Sequence, residues 1–210
     1  MAFQQATDNP IFHRFQGKEV IQVAKWLVNA NDVFNWNSVY LMLHDWLVEE
    51  GWAPSDDADF PEKYYLLRDV PGFGKEMWLR WQCEKVPEMY KSKGSAAPFT
   101  YAMDVVWHCL GVAGTEVGWK GQKVKMNKGE LEIECTAYVV IDKYKMWSGS
   151  WGQIKKLLLK KQMKKTYDIQ KRTVYDDAYR MRALLANYLK IESFQKEKEG
   201  AEPWGRRSLD

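Results

Sequence analysis

Asp104 and His108 come nearest, by residue type and spacing, to a catalytic pair in this sequence. They stand four apart in a segment, 99–109, where apolar and polar residues alternate with period two. Successive side chains of a strand point to opposite faces, so the two share one face. An imidazole beside a carboxylate can act as a general base. Arg80, Glu84, Glu132 and Glu134 occupy the polar phase of neighbouring alternating segments and can become cross-strand neighbours of the pair. The plainer reading is a solvated face whose charges pair across strands, and no nucleophile stands at a diagnostic spacing. The sequence therefore assigns no catalytic residue.

The second chemistry is electrostatic. Between 155 and 172, Lys155, Lys156, Lys160, Lys161, Lys164, Lys165, Lys171 and Arg172 stand against the single acid Asp168. Ile154, Leu157, Leu158 and Met163 supply apolar contact, and the spacing predicts a cationic amphipathic helix over 153–166. Trp147 and Trp151 immediately precede it. Trp147, Trp151, Lys155, Lys156, Lys160, Lys161, Lys164 and Lys165 are thus the expected surface-binding residues, suited to an anionic membrane surface or to the phosphates of a nucleic acid. The plainer alternative is a solvated helix paired with the acidic block 45–62, which holds Asp45, Glu49, Glu50, Asp56, Asp57, Asp59 and Glu62 and no basic residue. No metal or cofactor is expected. His13, His44 and His108 are far apart, no Cys-x-x-Cys or His-x-x-x-His occurs, and neither Pro71-Gly72-Phe73-Gly74-Lys75 nor the glycines of 149–152 form a nucleotide-binding fingerprint.

The elements that must position these groups follow from hydrophobic periodicity. Strict alternation marks strands at 75–86, 98–112 and 130–143, with shorter ones at 64–70 and 122–127, separated by turns at Pro71-Gly72-Phe73-Gly74, Lys120-Gly121 and Lys128-Gly129. Helical spacing marks 18–31, 38–50 and 174–192; Asn37 or Ser38 is placed to cap the second of these and Gly51 to end it. The expected fold class is α+β: an antiparallel β-meander of five or six strands, its apolar face covered by N- and C-terminal helices. Along the chain this divides into an N-terminal arm with helices (1–62), the sheet (63–143), a Trp loop with C-terminal helices of the same domain (144–192) and a polar tail (193–210).

Composition sets the remaining bounds. A net charge of +3 is too mild to demand a polyanionic partner without local clustering. Eleven tryptophans suggest both core and contact surface. The three cysteines, Cys83, Cys109 and Cys135, all fall on the apolar phase, which points to buried free thiols in a reducing compartment. The start of the chain lacks a secretion signal and no window is apolar enough to span a membrane, so a soluble intracellular protein is expected.

Leu47-Val48-Glu49-Glu50-Gly51-Trp52, followed by Tyr64-Tyr65-Leu66-Leu67-Arg68 and Lys75-Glu76-Met77-Trp78-Leu79-Arg80-Trp81, resembles an uncharacterised group of archaeal proteins. Gly129-Glu130-Leu131-Glu132-Ile133 and the helix at 179–189 extend the resemblance over most of 40–192. It implies no activity and contributes no site. The leading expectation is a non-catalytic structural or interaction protein that self-associates or joins a larger assembly. The alternatives are a peripheral binder of anionic lipid or nucleic acid, and an enzyme or hydrophobic-ligand carrier with an enclosed sheet-helix cavity beyond about 300 Å³ lined by His108 or Asp104.

Overall fold

A computed structural model describes residues 14–15, 18–91, 97–119, 122–141 and 164–190. Five antiparallel strands and two α-helices make up the fold: β1 (Glu19–Phe34), α1 (Trp36–Glu49), β2 (Glu62–Val70), β3 (Gly74–Lys85), β4 (Phe99–Trp119), β5 (Gln122–Ile141) and α2 (Lys164–Leu189). The sheet order is β1-β5-β4-β3-β2. Strands β2 to β5 form the expected meander, and β1 closes the far side of β5.

The segment 18–31, expected as a helix, is strand β1. Its pairing with β5 slips between Gln22 and Ala24, and this bulge inverts the alternation. Ile21 faces the main core before the slip; Ala24, Trp26 and Val28 face it afterwards. The phase change leaves Val20, Val23, Ala24 and Leu27 at spacings that imitate a helical stripe.

The turn expected at Lys128-Gly129 is likewise absent, and the short strand 122–127 and the longer strand 130–143 expected on either side of it are one continuous β5. Gly129 instead faces a bulge in β4, where the register shifts between Leu110 and Ala113. A Cβ on Gly129 would lie 2.9 Å from the Leu110 carbonyl oxygen and 3.0 Å from Val112 Cα. Close backbone approach, and not chain reversal, requires the glycine.

One sheet face carries the core. Met77, Leu79, Trp81, Met103, Val105, Trp107, Leu131, Ile133 and the three cysteines are buried there. Helix α1 is capped by Asn35, whose side chain accepts from Ser38 N at 3.1 Å, and it lays Val39, Leu43 and Leu47 on the sheet. Gly51, with φ +72°, turns the chain out of α1. Helix α2 runs without a break through the interval expected to separate two helices, and buries Val174, Ala178, Met181 and Leu185 against β1 and β5. Indole rings knit the α1 side together: Trp81 and Trp107 meet edge to face at 4.9 Å, with Trp36 and Tyr40 against them. Part of the tryptophan excess is therefore core.

Helix α2 is also tied by charge. Asp177, buried, accepts from Trp52 Nε1 at 3.1 Å and Arg180 Nη2 at 2.6 Å and pairs with Lys85 at 3.4 Å. Arg180 makes a two-pronged pair with Glu50 at 2.9 Å. Of the acidic block, Glu50 thus meets a cation outside the expected basic block.

Candidate functional site

The second sheet face was expected to be solvated, and at Asp104 it is not. Asp104 is 6% exposed, and Arg14 and Phe15 lie against this end of the face. Phe15 is buried against Ala102, Tyr138 and Val140, and the neighbouring Arg14 reaches across the strands. Its guanidinium donates to Asp104 Oδ1 at 3.1 Å, to Glu84 Oε1 at 2.7 Å and to the Gln82 carbonyl at 3.2 Å. Arg80 donates to the other carboxylate oxygen, Asp104 Oδ2, at 3.1 Å. Burial pushes the Asp104 carboxyl above the usual range, while Arg80 and Arg14 pull it down. Asp104 is thus a carboxylate held between two guanidiniums, one on each of its oxygens.

His108 lies further along the same face, stacked on Trp78 with ring centroids 3.7 Å apart. Its Nε2 is 3.3 Å from Glu76 and its Nδ1 3.8 Å from Glu132. Asp104 and His108 each belong to a charge cluster of their own. Glu134 pairs with Lys25 of β1 at 3.0 Å, so the face does carry the cross-strand pairs expected of it.

No thiol can serve as partner to these groups. Cys83, Cys109 and Cys135 are fully buried on the opposite face. Burial pushes Cys83 and Cys109 up to about 12, and Cys135 well above the ordinary thiol range, so at neutral pH they are un-ionised and non-nucleophilic. Among the described residues, no group of three His, Cys, Asp or Glu is placed to hold a metal ion. An open cleft of about 490 Å³ at the end of β3 is lined by residues including Arg14, Lys63, Gln82 and Glu84. Neither Asp104 nor His108 lines this cleft. No helix among the described residues is long and apolar enough to cross a membrane.

Of the expected surface-binding residues, Trp147, Trp151, Lys155, Lys156, Lys160 and Lys161 lie outside the described residues. Lys164 and Lys165 are the first two positions of α2.

The surface that the sequence reading missed is strand β2. All nine of its residues are at least partly exposed, and four consecutive large side chains stand open: Tyr64 (49%), Tyr65 (49%), Leu66 (43%) and Leu67 (47%). Because neighbours alternate in face, a run of this kind means that both faces of the strand are bare. On one edge β2 pairs with β3; on the other, no described strand pairs with it. Helix α1 meets the start of β2 through Tyr40, which donates to Glu62, and Trp81 Nε1 of β3 donates to the same carboxylate. The opposite edge strand, β1, differs. Helix α2 lies against it, and Trp26 Nε1 donates to the Ala178 carbonyl at 2.9 Å. Phe73, 58% exposed in the β2-β3 turn, extends the apolar surface. A signal was present in the sequence: four of the nine residues of β2, Tyr64, Tyr65, Leu66 and Leu67, are large apolar or aromatic and run without alternation.

Comparison with protein-family models and with curated proteins gave no match. Geometry alone therefore bears on function.

Proposed function

We propose that this protein is a non-catalytic interaction protein that self-associates, and that strand β2 is its principal contact. The observation that carries this reading is the bare edge at 64–67. An exposed strand edge is a row of unpaired N–H and C=O groups ready to template another strand, and soluble proteins ordinarily keep such edges short, charged or covered. Here the centre of the strand is apolar on both faces. Contiguous exposed apolar surface of this kind marks contact sites, and pairing of strand edges supplies main-chain hydrogen bonds in addition to side-chain burial. The two clusters on the second face support the reading from the other side, since their ionisable groups are committed to one another.

Size-exclusion chromatography with light scattering should give a species larger than the 24.7 kDa monomer. Leu66→Lys with Leu67→Lys, which charges both faces of the strand, should return it to the monomer. A monomer in the unsubstituted protein at high concentration would refute the proposal.

A further inference from the structure

We infer that the partner of β2 is β2 of a second copy, paired antiparallel about a two-fold axis through Leu66. The inference rests on the self-association reading above. Residues directly opposite each other in an antiparallel pair lie on the same sheet face. A two-fold axis normal to the sheet keeps each residue on its face, so such an axis must pass where one residue meets its own copy. Near the middle of β2 that leaves three registers, centred on Tyr65, Leu66 or Leu67.

Charge distinguishes them. Centring on Leu66 sets Tyr65 against Leu67, Tyr64 against Arg68 and Lys63 against Asp69, each twice by symmetry. Every charged residue between 63 and 69 then faces an opposite charge or an aromatic ring able to receive a guanidinium. Centring on Tyr65 places Lys63 opposite Leu67, and centring on Leu67 places Arg68 opposite Leu66 and Asp69 opposite Tyr65. Both alternatives set charges against apolar or aromatic side chains across the new edge, apart from Arg68, which centring on Tyr65 sets opposite Glu62. The irregularity in the β2-β3 pairing falls between Glu62 and Tyr64 and so takes in Lys63; the pairs Tyr65 with Leu67 and Tyr64 with Arg68, inside the regular stretch, define the register, and Lys63 with Asp69 adds to it from the bulge. Glu62 is already bound to Tyr40 and Trp81 and takes no part. The resulting dimer is one continuous sheet, two sets of five strands joined edge to edge.

The register can be read with single cysteines, since the native thiols are all buried. Tyr65→Cys, Leu66→Cys and Leu67→Cys are made one at a time in the full chain, oxidised with copper phenanthroline and resolved on a non-reducing gel. Residues 65 and 67 are each one place from the axis and therefore two places along β2 from their own copies, a diagonal of about 7–8 Å that exceeds the roughly 7 Å Cα separation a disulfide spans, so Leu66→Cys alone should give a covalent dimer. Cross-linking at position 65 or 67 instead would overturn the register and leave edge self-association standing. An oligomer by light scattering with no cross-link at any of the three would overturn β2 pairing. A monomeric unsubstituted protein would remove the reading beneath both. A second measurement covers the case in which a cysteine perturbs the strand. Lys63→Asp should weaken the dimer about fivefold or more by opposing Asp69 twice, and Lys63→Asp with Asp69→Lys should restore it. Failure of that restoration would also overturn the register.

Discussion

Replacing Arg14 by alanine perturbs the fold at a point where sequence position conceals a structural role. Arg14 donates to a carboxylate 90 residues away, at 3.1 Å, and its loss leaves Asp104 with Arg80 alone. The Arg14 side chain is 16% exposed and that of Asp104 7%. Breaking a fully buried ion pair costs about 3–5 kcal/mol and a hydrogen bond to a charged group about 1.5–3 kcal/mol. Since Asp104 retains one guanidinium, the lower range applies, and Arg14→Ala should cost about 2 kcal/mol. The pH dependence has a definite sign. Burial already holds the Asp104 carboxyl above its ordinary range, and removing Arg14 takes away one of the groups that lower it. A carboxyl whose folded pKa exceeds its unfolded one binds its proton more tightly when folded. Its contribution to stability is therefore present at low pH and lost as pH rises through the folded value. The Arg14→Ala deficit should accordingly be largest near neutrality and shrink towards mildly acid pH. Urea unfolding of Arg14→Ala, Asp104→Asn and the double variant measures this, with Asp104→Asn less costly in the Arg14→Ala background by about 1 kcal/mol or more. An additive cycle with a pH-independent deficit would refute the argument.

Further expectations follow from the sheet and the helices. Gly129→Ala should destabilise by about 1–3 kcal/mol in thermal or urea unfolding, because both nearest neighbours of the new methyl are backbone; an unchanged midpoint would contradict the close-approach role. In native protein none of the three thiols should react with a chromogenic disulfide reagent, and all three should react in denaturant. Fast native reactivity would mean that the apolar face is misassigned. If the alternative function through 153–166 holds, Lys156→Glu, Lys160→Glu and Lys164→Glu together should abolish pelleting with anionic vesicles or the shift of a labelled nucleic acid; binding that survives the triple reversal rules that segment out.

What was legible in the sequence follows from whether a local pattern carried it. The alternation at 99–109 and 131–141 is readable because the two sheet faces differ in polarity over most of these segments, so Cys109 and Cys135 could be placed inward and Glu132 and Glu134 outward, as found. The α+β class, the covering helices and the β2-to-β5 meander follow from it. Strand β1 was illegible because one bulge shifted the phase, and β5 was divided in two because a glycine needed for close approach is indistinguishable in sequence from one needed for a turn. The burial of Asp104 depends on Arg14 and Phe15, which no periodicity connects to β4. The bareness of β2 depends on where α1 stops, which is a property of packing and not of the strand itself.

Hydrogen–deuterium exchange across a protein concentration series tests the role of β2 most directly, because main-chain pairing at the free edge must protect amides that the monomer leaves open to water. The account predicts that protection of residues 62–70 rises with assembly, centred on Leu66, while the exposed hairpin positions Val117 and Val124 do not change. Exchange at 62–70 that is independent of concentration, or concentration-dependent protection confined to the β4-β5 hairpin, would contradict it.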